Sequence, residues 1–161
     1  MPPAPADGVV QFKRAVQDLK NKSHSKITSL TSLADVLYEA AEEVSNVLLD
    51  EISTASASRL QPLISVVDSI LKKVGKDYKM HFASRMPHAI GAVFARSDAS
   101  MHGWLEKMLN MSWRKFDLLP PQTLDRLDQV FRSPAAEAAQ AAQAEQAAQA
   151  AQAAPEVSSQ S

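Results

Sequence analysis

Ser23-His24-Ser25-Lys26 and Ser69-Ile70-Leu71-Lys72 both fit S-x-x-K, a spacing at which a lysine can act as base toward a serine nucleophile. The S-D-N and K-T-G elements that accompany it in penicillin-binding enzymes do not occur, so the spacing alone carries no acyl-transfer chemistry. His24, His81, His88 and His102 never fall at paired ligand spacing, and there is no H-E-x-x-H. Cysteine is absent, which excludes thiolate metal sites and disulfides. With four glycines in the chain there is no glycine-rich phosphate loop. These patterns point to neither an enzyme nor a bound metal or cofactor.

A polar stripe is more informative. Gln61, Ser65, Asp68 and Lys72 are spaced four, three and four, which puts them on one helix face. The plain reading of Asp68 is an exposed ion pair with Lys72, contributing about 0.3–0.5 kcal/mol. The functional reading is a carboxylate at the rim of a groove, accepting a hydrogen bond from a partner's hydroxyl. The opposite face of that helix is apolar: Leu60, Leu63, Ile64, Val67, Ile70, Leu71 and Val74 recur at threes and fours. Ser58 is placed to cap its start, Pro62 is expected in the first turn, and Gly75 is placed to end it.

Around this helix the pattern is helical throughout. Residues 1–7 are Pro- and Ala-rich and expected to be disordered. Asp7 can cap a helix over about 8–20 that buries Val9, Phe12, Val16 and Leu19. Residues 21–26 read as a polar loop. Ile27, Leu30, Ala34, Leu37, Ala41, Val44 and Leu48 then repeat without fault, and periodicity alone makes 27–52 one helix. Asp77 begins a helix reaching Met86 with Tyr78 and Phe82 aligned, and Pro87 starts a further short one through Phe94. Ser97–Ser100 form a turn, a helix carrying Trp104, Leu105, Met108, Leu109 and Trp113 runs to about Lys115, and another follows Pro120-Pro121. The expected organisation is an all-α domain over 8–132 with about seven or eight helices. Beyond it, 133–161 is an Ala/Gln-rich low-complexity tail, with glutamines at 140, 143, 146, 149 and 152.

Net charge is −1, but its distribution is uneven. Residues 27–58 hold six acids and no Lys or Arg, whereas 59–132 hold twelve basic side chains against seven acids. Such a basic half can attract an acidic or phosphorylated partner. No apolar run approaches a membrane span and the N-terminus lacks a signal-peptide layout, so a soluble chain with no membrane contact is expected.

The run P-L-I-S-V-V-D-S-I-L-K-K-V-G-K-D-Y at 62–78, followed by H-F-A-S-R-M at 81–86, resembles the helix-four signature of RNA polymerase II CTD-interaction domains. The version it is most similar to is that of pre-mRNA cleavage and termination factors, with a weaker likeness over 9–131. The resemblance implies a right-handed superhelix of seven to eight helices and a break in the 27–52 pattern near 37–40. It implies a nuclear peptide-binding module for the phosphorylated polymerase tail, acting in transcription termination or mRNA 3′-end processing and polyadenylation. The peptide would lie between the second, fourth and seventh predicted helices, the seventh being the one that ends near Lys115.

Peptide contacts are expected at Asp68, Ser65, Ser69 and Lys72, and at Met108 and Met111, whose flexible side chains suit an adaptable pocket. The resemblance places phosphate contacts at Lys22, Ser25 and Lys26 in the first loop and at Lys73, Lys107 and Arg114. In the family the aspartate matching Asp68 contacts the tail's tyrosine. The sequence departs from many relatives where Ser65 replaces a tyrosine, Lys73 an asparagine and Met108 an arginine that reads phosphoserine. Cleavage and polyadenylation factors are further expected partners, with weak RNA contact through the basic rim. Trafficking adaptors of the VHS/ENTH type share such a superhelix, but the first helix here is only mildly basic (Lys13, Arg14, Lys20). A purely structural scaffold that self-associates through its tail is the third reading.

Overall fold

The computed structural model describes residues 5–75 and 77–132. The start of the chain at 1–4, Lys76 and the Ala/Gln-rich tail at 133–161 lie outside the described residues, so the expectation for the tail is not addressed by them. Among the described residues there are seven α-helices and no strand: α1 Pro5–Gln17, α2 His24–Val36, α3 Ala41–Thr54, α4 Ala57–Lys73, α5 Asp77–Ala95, α6 Ala99–Met108 and α7 Pro121–Arg132. A 3₁₀ turn, Tyr38–Ala40, precedes α3, and a π-helical segment, Leu109–Arg114, prolongs α6. α1 packs on α3, α2 on α4, α3 on α5 and α5 on α7, which is how antiparallel helix pairs stack into a superhelix.

α1 begins earlier than its composition implies, with Pro5 in the first turn, where a missing N–H costs nothing, and Asp7 beside it facing the helix dipole. Residues 5–7 are therefore helical, contrary to the expected disordered start. α2 also begins early: Ser23 is its N-cap, its side chain accepting from Lys26 N–H at 3.3 Å. The expected loop at 21–26 shrinks accordingly, and Ser25 and Lys26 stand in the first turn of α2. The N-cap position of α4 is Ser56 rather than Ser58, without a capping side-chain hydrogen bond, so Pro62 sits in its second turn, buried in the core. Gly75 ends it as expected: its φ is +63°, and its N–H reaches the Ile70 carbonyl at 2.9 Å.

The break between α2 and α3 has no local breaker residue. Tertiary contacts make it. The Tyr78 hydroxyl donates to the Ala34 carbonyl at 2.6 Å, the acceptor that a continuing helix would give to residue 38. Leu37, at the break, packs so closely on α1 that a Cβ added at Gly8 would lie 2.3 Å from its Cδ2. Pro87 shows the reverse override. α5 runs straight through it, because packing on α3 and on α7 outweighs one lost backbone bond and the proline's interior penalty of about 3 kcal/mol.

Much of the basic half is spent internally. Arg59 donates to the Leu19, Val16 and Gln17 carbonyls at the end of α1 and pairs with Glu51 at 2.8 Å. Arg96 donates to the Ile52 and Ser53 carbonyls at 2.7 and 2.6 Å, capping α3. Arg85 reaches Asn46 at 2.9 Å and Asp50 at 2.7 Å. The acidic and basic stretches are thus partly two halves of one internal network.

Tyr78 is fully buried, and burial, with Asp35 as the smaller cause, pushes its phenol well above the usual tyrosine range. The folded state therefore holds that proton after the unfolded chain releases it, near pH 10, so this contribution is intact below about pH 10 and declines above it. Tyr78→Phe is expected to cost about 1–2 kcal/mol at neutral pH, because the Ala34 carbonyl loses its donor. In urea denaturation at pH 8 and pH 11, the wild-type advantage over Tyr78→Phe should shrink at the higher pH. An unchanged gap would contradict the assignment.

Candidate functional site

Three elements build the surroundings of the expected Asp68 and Lys72. α4 supplies Asp68 and Lys72 one turn apart on its polar side, because its apolar stripe is committed to the core. The π-helical segment supplies Ser112, and Phe116, just beyond its end, lies beside Lys72. α2 supplies Thr31.

Asp68 is not the exposed rim carboxylate that its spacing predicts. Its side chain is only 14% exposed; Oδ2 lies 3.1 Å from Lys72 Nζ, and Oδ1 accepts from Ser112 Oγ at 2.5 Å. The ion pair is present, but a donor from the domain's own chain is added. Lys72 Nζ also stands 5.5 Å from the centroid of the Phe116 ring. Phe116 is 55% exposed and Met111 63% exposed, while Met108 is partly buried against the core. The result is an acceptor beside a cation, with an exposed aromatic ring next to that cation, features that suit a ligand carrying a hydroxyl and an apolar group.

Ser69 is engaged within the domain. Its Oγ lies 2.7 Å from Thr31 Oγ1, which itself donates to the Ile27 carbonyl, so Ser69 fastens α4 to α2. Ser65 is half-buried one turn earlier on α4. Near the expected Met108 and Met111, Met101 and Trp113 belong to the core, and the Trp113 indole N–H is buried with no hydrogen-bond partner among the described residues.

The expected phosphate contacts do not converge. Lys26 pairs with Asp18 at 3.5 Å, and the Ser25 hydroxyl lies 3.2 Å from that of Ser23. Arg114 is drawn to α7 by Asp128 and donates to Asn110 at 2.6 Å. Lys22 projects over the Trp104 ring at 5.0 Å, tethering the α1–α2 loop to α6. Lys73 and Lys107 are exposed on α4 and α6. A separate groove of about 640 Å³ runs between α1 and α2, lined by Ala15, Asp18, Ser25, Lys26, Ser29 and Leu33 among others. It takes in Ser25 and Lys26 but not Asp68. Ser25, Ser29 and Ser32 lie on the face of α2 roughly opposite Thr31, so this groove and the Asp68 patch are different surfaces.

Among the described residues no three His, Asp or Glu side chains cluster to hold a metal ion, and no helix is long and apolar enough to cross a membrane.

Residues 10–127 match the CID domain. The chain belongs to the CID domain family. A similar protein is polyadenylation and cleavage factor homolog 11 of Caenorhabditis elegans, 29% identical over 119 residues that cover 73% of this chain and 14% of the worm protein. The chain thus spans a small part of that relative's length. Among solved structures, the crystal structure of the RPR of Pcf11 superposes with a TM-score of 0.71 at 22% identity, covering 75% of this chain and 95% of that one. That likeness confirms the all-α class expected from the helix pattern and the CID-type fold that the resemblance implied. A CID domain is an interaction module and not a catalytic fold.

Ser112, Thr31 and Phe116 are the site residues that sequence reasoning missed. The signal for Ser112 was a small polar residue within the bulky run Met108-Leu109-Asn110-Met111-Ser112-Trp113. Reading that run at α-helical period anchors Trp113 in the core but leaves Ser112 without a role, because the π turn is invisible to periodicity.

Proposed function

We propose that this CID domain binds the phosphorylated C-terminal tail of RNA polymerase II and tethers to it machinery for transcription termination and mRNA 3′-end processing, in the nucleus. The observation that carries the reading is the D-S-I core at 68–70 within a family-matched domain. Its aspartate pairs with Lys72, which stands over the exposed Phe116 ring, and part of the aspartate side chain is still open. The name of the worm relative supports the setting, and cleavage and polyadenylation factors are the natural neighbours there. Phosphate groups on the peptide would meet Lys22, Lys73 and Lys107, since Lys26 and Arg114 are already paired. RNA contact through the same lysines would be weak. Ordering a disordered ligand opposes binding, so affinity is expected to be modest.

Fluorescence anisotropy with labelled tail peptides, with and without phosphoserine, tests this against wild type and Asp68→Ala. Losing a hydrogen bond to a charged acceptor should weaken binding about ten-fold or more. Equal affinity for the two proteins would remove Asp68 from the site, and no binding of any tail peptide by wild type would refute the reading.

A further inference from the structure

Ser112 is nearly buried, at 6% exposure, yet its hydroxyl is spent on a carboxylate of another helix. It stands in the π-helical segment Leu109–Arg114, beside Trp113, which is fully buried. A π turn is wider than an α turn and rotates the residues along it relative to a regular helix, and such turns cluster at functional sites. Here the turn lets Trp113 fill the core while Ser112 meets Asp68 and Met111 stays exposed.

We propose that Ser112 is a positioning residue for ligand binding: it holds the Asp68 carboxylate in the orientation that leaves acceptor sites facing a ligand hydroxyl. This rests on the reading of Asp68 as the ligand's acceptor. An ionised carboxylate has about four acceptor sites. Ser112 takes one on Oδ1 and Lys72 one on Oδ2, so each oxygen keeps about one open site. With only 14% of the side chain exposed, the direction of those open sites decides whether a ligand can use them. Two donors fix that direction from opposite oxygens. Without Ser112, only Lys72 would restrain the carboxylate, and its side chain is 41% exposed. A pre-oriented acceptor spares the ligand part of the ordering that binding otherwise requires.

The test is a set of peptide titrations on Ser112→Ala, Ser112→Thr, Asp68→Ala and the Ser112→Ala/Asp68→Ala double variant, with NMR shift titration for the weak cases. Thermal unfolding confirms that each variant is folded at the temperature used. Ser112→Ala should weaken binding about five- to ten-fold. Ser112→Thr, which keeps the hydroxyl, should restore affinity to within about two-fold of wild type. On top of Asp68→Ala, removing the Ser112 hydroxyl should have no further effect, a coupling that a merely structural role would not produce. Equal or tighter binding by Ser112→Ala, with Asp68→Ala still damaging, would overturn this inference alone, since Ser112 would then be a bystander or a mask. A silent Asp68→Ala would instead bring down the reading on which it rests.

Discussion

Arg59→Ala is expected to destabilise the domain by about 2–4 kcal/mol, measured by urea denaturation. The Arg59 side chain is 15% exposed and that of its partner Glu51 19%, so this pair lies well outside the class of solvated surface bridges. One planar group satisfies the last carbonyls of α1 and the carboxylate of α3 from a position on α4. Its removal orphans helix-terminal acceptors and leaves Glu51 unpaired where water reaches it poorly. Arg59→Lys should recover only a minor part, because an ammonium is a point donor and cannot span the same set. Glu51→Gln should cost less than Arg59→Ala, since the carbonyl contacts survive. A loss below about 1 kcal/mol for Arg59→Ala would place the residue with ordinary surface ion pairs.

Helix existence was legible because burial imposes a period: the faces of α1, α4 and α7 are readable from Phe12, Val16 and Leu19, from Leu60 to Leu71, and from Leu124 to Phe131. What periodicity alone missed, including the break near 37–40 that the resemblance implied, was decided by contacts between residues far apart in sequence. Nothing local in 27–52 announces the break at Leu37. It follows from Tyr78 taking the Ala34 carbonyl and from the packing of Leu37 on Gly8. Pro87 looks like a helix boundary and is not one, because its neighbours Met86, Ala89 and Ile90 are locked in the core.

The candidate site divides in the same way. The Asp68–Lys72 pair follows from an i,i+4 spacing on one helix and was readable. Ser112 reaches Asp68 only through a π turn, and Arg114 is diverted by Asp128 from a helix that begins after Pro120. Spacing along one helix fixes which side chains share a face. It does not say which of them another helix will claim, and that is why the basic residues that looked free proved largely engaged.

Phe94→Ala is the second large effect, at about 3–5 kcal/mol. Phe94 is 2% exposed and stacks on Phe131 of α7 at 4.7 Å and on the His102 ring of α6 at 3.8 Å, so one side chain joins the ends of α5, α6 and α7. His102 Nε2 adds a hydrogen bond to the Phe94 carbonyl at 2.7 Å, which survives truncation of the ring but loses the stacked surface that orients it. Phe94→Leu, which retains volume, should cost much less. Hydrogen exchange should show the truncation lowering protection in α6 and α7 before α1, whereas Arg59→Ala should open α1 first. Arg59 fastens α4 to α1 and α3, whereas the Phe94 ring stacks on α6 and α7, so in denaturation the double variant should lose close to the sum of the single losses. That sum approaches the about 5–15 kcal/mol available to a domain of ordinary stability, so the double variant should be largely unfolded at 37 °C. A double variant no less stable than Phe94→Ala alone would mean that α1 is already detached once the α5–α6–α7 junction loosens, and that the two clusters form one cooperative unit.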